Sequence, residues 1–185
     1  INIENDITFL QTEVPPLKGI ESESVDFIVT FQVIEHINND RFFLSEINRV
    51  LKPEGKLIMT TPNILMSLTR SPWHIREYTP KQMSDILHVF FKKVELKGVF
   101  GNEKVMDYYQ KNKESVERIT RWDILNMQYW LPRWILQIPY DILNRFNRHN
   151  LQDQNVELVK SIKYTDYSIQ SSSENCLDHF VIATK

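Results

Sequence analysis

A chain of 185 residues, 42% hydrophobic and 25% charged, is long enough to bury one core and has the makeup of a globular protein. Its net charge of −2 offers no broad basic field for nucleic acid. The single cysteine, Cys176, excludes an internal disulfide and fits the reducing cytoplasm, and no apolar run approaches the roughly 20 residues of a membrane span.

The first residue is Ile1 rather than methionine, and no signal peptide is legible, so a longer native chain is expected. Residues 7–11 (ITFLQ) alternate and predict a strand, ending at Thr12-Glu13-Val14 and stopped by Pro15-Pro16. A polar linker over 18–24 follows. Residues 25–31 form a nearly continuous apolar run rich in β-branched and aromatic side chains, which predicts a strand buried on both faces. Asn38, Asn39 and Asp40 offer helix caps and a negative first turn. Phe43, Ile47, Val50 and Leu51 then make one apolar helical stripe. Lys52-Pro53-Glu54-Gly55 ends that helix: Pro53 cannot continue it, and Gly55 tolerates a positive φ. Residues 56–61 read as a second strand, stopped by Pro62, which completes a right-handed βαβ unit.

Residues 63–78 lack periodicity and carry the run SPWHIREY. Thr79-Pro80-Lys81-Gln82 is a capping box with proline at the first helical position, and Met83, Ile86, Leu87 and Phe90 share the next helical face. Residues 92–101 predict a strand. Val116, Ile119 and Trp122 share helical spacing, with helix expected to continue to Tyr129. Pro132 and Pro139 should then divide the segment into short helices, each with its proline in a first turn. Residues 151–173 are polar and weakly patterned, with a loop at Ser171-Ser172-Ser173, and 179–184 form a closing strand. Strands alternating with helices predict an α/β three-layer sandwich, a single domain over 1–185 with a helical insertion at 102–150 before the last strand.

Two segments, FIVTFQVIEHI and FLSEINRVLKPEGKLIMTTPN, resemble the middle of a class I S-adenosylmethionine (SAM)-dependent methyltransferase, of the small-molecule type that includes the ubiquinone-biosynthesis O-methyltransferases. The resemblance implies a Rossmann-like, mostly parallel sheet with an antiparallel last strand beside the sixth. Residues 7–11, 25–31 and 56–61 would be its third, fourth and fifth strands, and 92–99 and 179–184 its sixth and seventh. The family's glycine-rich turn and ribose-binding acid have no counterpart. Gly19, Gly55, Gly98 and Gly101 all lie outside a strand–GxGxG–helix setting, so the N-terminal strands are expected to be missing.

In such sheets ligands bind beyond the carboxyl ends of the strands. By resemblance, Glu13 would accept the adenine amine and Val14 would line its slot; an exposed surface glutamate is the plainer alternative. Phe31 and Gln32 would pass beside the adenosine and sulfonium, unless Phe31 is simple core. Some ubiquinone-pathway relatives bind a divalent metal through E-x-x-E-H. Here Gln32 removes one carboxylate from the pattern, so no metal is expected. His36 could instead be a general base, or could cap its loop. Asn63, His74, Arg76 and Tyr78 fall where the family's substrate loops lie and could hold an acidic or hydroxyl-rich acceptor.

The tryptophan-rich insertion could be a substrate lid, a homodimer contact or, with Arg133, Arg145 and Arg148 beside Trp130 and Trp134, a peripheral membrane surface over 122–148. Packing against the sheet is the default expectation. The reading is a SAM-dependent methyltransferase acting on an oxygen or nitrogen of a small molecule: a sugar, an envelope-glycan intermediate or a quinone precursor. A catalytically inactive, methyltransferase-like interaction module is the alternative, motivated by Gln32 and the absent glycine turn. A nucleotide-binding oxidoreductase is a weaker one, opposed by the EHI…RVLKPEGKL run.

Overall fold

The computed structural model describes residues 7–121 and 131–185. Its centre is the βαβ unit, built from β1 (Val25–Phe31), α1 (Asp40–Val50) and β2 (Leu51–Pro62). Asn39 caps α1, its side-chain oxygen accepting from the Phe42 amide at 3.0 Å, and Asp40 places negative charge against the helix N-terminus. The buried stripe is the expected one with Leu44 added. The bend at Glu54 and Gly55 lies within β2, where its register against β1 shifts between Val25 and Phe27. The positive φ falls on Glu54 (64°), not on Gly55. Gly55 answers a need for space: a Cβ there would lie 2.8 Å from the Lys52 carbonyl oxygen and 3.2 Å from that of Asp26.

Five strands form one open sheet in the order β1-β2-β5-β3-β4, where β3 is Lys93–Gly101, β4 is Tyr167–Ser171 and β5 is Asp178–Thr184. β1 and β2 are parallel. β5 runs antiparallel between β2 and β3, as expected of the last strand, and β4 pairs antiparallel with the outer edge of β3. The sheet is therefore mixed. β4 falls in the weakly patterned stretch 151–173, where no strand is predicted. All its residues are exposed, so its short Tyr167/Ile169 alternation carries no burial signal.

Two expectations for the first strands are corrected. Residues 7–11 form no strand; Ile7, Phe9 and Leu10 are exposed coil. Alternation fits a strand, but a strand exists only where a ladder partner accepts it, and β1 pairs only with β2 among the described residues. β1 is covered on one face rather than two. Ile28 packs on the core, while Phe27, Val29 and Phe31 are 61%, 57% and 55% exposed.

The covered face carries Leu57 and Met59 of β2 and Val181 and Ala183 of β5, packed against α1 and α2 (Pro80–Leu87). α2 opens on the expected box: the Thr79 hydroxyl accepts from the Gln82 amide, and the Gln82 side chain accepts from the Thr79 amide. Between β3 and β4 lie α3 (Glu103–Thr120), α4 (Arg133–Gln154) and α5 (Val156–Ser161). Pro132 precedes α4, but Pro139 lies inside it, past the first turn, so the expected break there does not occur. Trp134 is exposed rather than packed on the sheet, as are Ile138 and Ile142. Trp122, Tyr129 and Trp130 lie outside the described residues. No described helix is long and apolar enough to cross a membrane.

β3 meets the β4–β5 connection so closely that a Cβ at Gly98 would sit 2.4 Å from Cys176 Cβ and 3.0 Å from the Phe100 ring. Gly98→Ala should therefore cost about 1–3 kcal/mol in urea unfolding, through overpacking. A wild-type midpoint would contradict this packing.

Candidate functional site

Antiparallel β5 begins where parallel β1 and β2 end, so three strand tips meet. Asp178 pairs with Pro62, and the Gln32 amide donates to the Thr60 carbonyl at 2.9 Å. Gln32 turns the chain out of β1 with φ 54°, and its side-chain amide lies 3.4 Å from both Thr60 Oγ1 and Asp178 Oδ1. Burial pushes the Asp178 carboxyl up; the Gln32 contact opposes this, and the Glu35 and Glu77 charges add to it.

Directly after β1, Ile34–His36 make a single 3-10 turn. Glu35 is 1% exposed. Its Oε2 accepts from Thr61 Oγ1 at 2.9 Å, and its Oε1 is buried with no hydrogen-bond partner. The Glu35 carbonyl accepts from the amides of Ile75 (2.6 Å) and Arg76 (3.2 Å), which lays the loop after β2 across this turn. His36 holds the Trp73 carbonyl through Nδ1 at 2.9 Å and points Nε2 toward Glu35 Oε1, 3.9 Å away. The His36 and His74 rings meet edge to face with centroids 4.9 Å apart. His74 Nδ1 lies 2.5 Å from Glu77 Oε1, and Ser67 donates to Glu77 Oε2. The hydrogen bond to Glu77 raises the His74 pKa against the effect of burial. Burial pushes Glu77 up, but its bonds to His74 and Ser67 outweigh this and leave it lowered.

Asp40 fastens the far end of the loop. Its Oδ2 accepts from Arg76 Nη1 at 2.7 Å and from the Tyr78 hydroxyl at 2.8 Å. Burial, then the bond to Asp40, drives the Tyr78 hydroxyl far above its ordinary range. Asn63 is also internal. Its amide donates to the carbonyls of Glu174 (2.9 Å) and Cys176 (2.8 Å), and its oxygen accepts from the Leu65 amide. His179 donates to the Tyr78 carbonyl at 2.8 Å, and burial lowers its pKa.

The structure thus brings His36, His74 and Arg76 together beside the tip carrying Phe31 and Gln32. Asn63 and Tyr78 lie behind the loop with their polar atoms already engaged. Glu13 and Val14 are exposed, and the segment after them is tied to α1: the Leu17 amide donates to Glu46 Oε2 at 3.0 Å, and Arg49 reaches the Leu17 and Ile20 carbonyls. None of the described hydrogen bonds joins Glu13 to the strand tips. Sequence reading missed Glu35 as a buried anchor and Asp178 altogether. The available signal for Asp178 was an acid opening an antiparallel last strand, whose start must lie among the other strands' ends.

A cavity of about 420 Å³ adjoins the cluster, its lining including Ser67, Thr69, Arg70, His74, Arg76 and Glu77. α3 and α4 reach its rim, with the Tyr109 hydroxyl donating to the Met66 carbonyl and the Trp73 indole donating to Asp141, both at 3.0 Å.

Residues 2–59 match a family described as "Methyltransferase domain". The chain is 40% identical over 83 residues to a probable SAM-dependent methyltransferase of Mycolicibacterium smegmatis, covering 42% of this chain and 32% of that protein. It is 37% identical over 90 residues to one from Mycobacterium tuberculosis, covering 45% and 33%. The matches thus span about a third of the length of these relatives. Among solved structures, a SAM-dependent methyltransferase from Archaeoglobus fulgidus superposes with a TM-score of 0.51 at 12% identity, over 99% of this chain and 70% of that one. A possible histamine N-methyltransferase from Thermotoga maritima gives 0.51 and 12%, over 90% and 58%. The structural likeness establishes a Rossmann-like fold. The match over 2–59 shows that this part of the chain is similar to methyltransferase domains.

Proposed function

We propose that the protein transfers a methyl group from SAM to an oxygen or nitrogen of a small-molecule acceptor. The observation that carries this reading is that the methyltransferase-domain match over 2–59 contains β1, the Glu35–His36 turn and α1, the elements around which the cluster is built. The sulfonium of SAM is already electrophilic. What remains for the protein is to align the acceptor in line with it and exclude water.

Phe31 and Gln32, exposed at the tip of β1, would flank the adenosine and sulfonium, with Glu13 as acceptor for the adenine amine and Val14 beside the ring. Without a bound ion, His36 is the proton acceptor. A Trp73 carbonyl at Nδ1 selects the tautomer with its proton there and leaves Nε2 free to take the acceptor's proton. His74, Arg76 and the hydroxyls of Ser67 and Thr69 line the acceptor side, which suits a hydroxyl-rich sugar or envelope-glycan intermediate better than a plain quinone ring. Asn63 and Tyr78 serve this pocket from behind, by holding the loop. The tethers from α3 and α4 support a single domain in which these two helices lie over the acceptor. Trp134, Ile138 and Ile142 follow one another on an exposed stripe of α4, which would let a cytoplasmic enzyme meet a lipid-linked acceptor at a membrane surface.

In titration calorimetry the full-length protein should bind SAM with a dissociation constant of about micromolar order; absence of heat would point instead to a non-catalytic domain. His36→Ala should lower kcat by at least about a hundredfold while leaving SAM affinity little changed. Equal losses in both would make His36 a shaping residue only.

Asp178 gives a pH signature. An acid whose folded-state pKa is raised costs stability once pH passes its unfolded value, and that cost is complete above the folded value. Asp178→Asn should therefore raise Tm at neutral pH and leave it unchanged below the unfolded carboxyl pKa of about 3.9. A lower Tm at neutral pH would contradict the burial argument.

A further inference from the structure

We propose that Glu35, His36 and His74 bind one divalent first-row transition-metal ion. One ligand atom from each lies within 4.8 Å of the others. Bonds of about 2.0–2.2 Å to an ion would draw such atoms roughly 3–3.5 Å apart, so small side-chain rotations close the site.

Two independent features point to a cation. The first is Glu35 Oε1, fully buried with no hydrogen-bond donor, beside two imidazoles. A carboxylate oxygen in that position is costly unless something positive reaches it. The second is the outer shell. Metal-binding histidines commonly have their other ring nitrogen held by a carbonyl or carboxylate, which fixes the ring and raises ligand basicity. His36 Nδ1 is held by the Trp73 carbonyl and His74 Nδ1 by Glu77, so each ring keeps Nε2 for the ion. Glu77 is itself oriented by Ser67.

Two imidazoles and one carboxylate suit Zn²⁺, Co²⁺, Mn²⁺ or Fe²⁺ rather than Mg²⁺ or Ca²⁺, which prefer oxygen ligands. Gln32 is no part of the set; its amide faces Thr60 and Asp178. The third ligand comes from the loop after β2, which is why the spacing E-H after Gln32 gave no metal signal. His74 also borders the cavity, so an ion held there would lie beside it. On the methyl-transfer reading, on which this last point alone rests, an ion there lowers the pKa of an acceptor hydroxyl, whose proton leaves to water, and His36 holds the ion instead of taking the proton.

The test uses the full-length protein, stripped with a chelator and titrated with Co²⁺. One equivalent should give the visible ligand-field bands of a low-coordinate, imidazole-bound ion, displaced by Zn²⁺. His74→Ala and Glu35→Gln should each weaken Co²⁺ binding by at least about a hundredfold, Glu77→Gln by about 10–100-fold, and Gln32→Ala should leave it unchanged. Glu35→Gln keeps an acceptor for Thr61, and circular dichroism checks that each variant folds. Absence of a saturable band, or wild-type affinity in a folded His74→Ala or Glu35→Gln, overturns the site. Metal binding without SAM binding would sink the functional reading and leave the metal site standing.

Discussion

A loop without periodic structure holds one position because a neighbouring turn and the first residue of α1 grip it. The Glu35 carbonyl takes the amides of Ile75 and Arg76, and the Asp40 carboxylate takes Arg76 and the Tyr78 hydroxyl. Asp40 is at once the first residue of α1, where the helix N-terminus favours its charge, and the buried acceptor that orders the loop. The arrangement around the cavity follows from this stitching. It sets His74 against His36, puts Arg76 on the cavity wall and lets Trp73 reach α4.

Three acids near the strand tips are treated differently by their surroundings. Glu77 has two close donors and stays ionised readily. Asp178 has one amide at 3.4 Å and sits above its ordinary range. Glu35 has one oxygen satisfied and one not. A core built only for stability would not keep such an arrangement. Incompletely paired polar groups gathered at one end of a sheet, where α/β folds bind ligands, support the site proposed there.

What was legible in the sequence was what local chemistry dictates. The Asn39 cap, the Thr79–Gln82 box and the α1 stripe depend on neighbours within a few residues, and each stands as read. What failed depends on distant partners. ITFLQ has the alternation of a strand but joins no ladder among the described residues, β1 is covered on one face although its apolar run predicts two, and β4 forms only because β3 offers an edge. The site divides in the same way. His36 and His74 were separately conspicuous, yet only the fold shows that their rings touch. Asn63 and Tyr78 belong to the expected loop, but their polar atoms turn inward, a matter of direction that spacing does not encode.

On this reading the end of β1 and the turn after it form one wall of a cofactor site. Amide hydrogen exchange of the full-length protein, with and without S-adenosylhomocysteine, tests this. Protection is expected over residues 31–37 and the loop at 71–78, with α5 and β4 unaffected. Exchange unchanged at the tip of β1, with protection confined elsewhere, would contradict it.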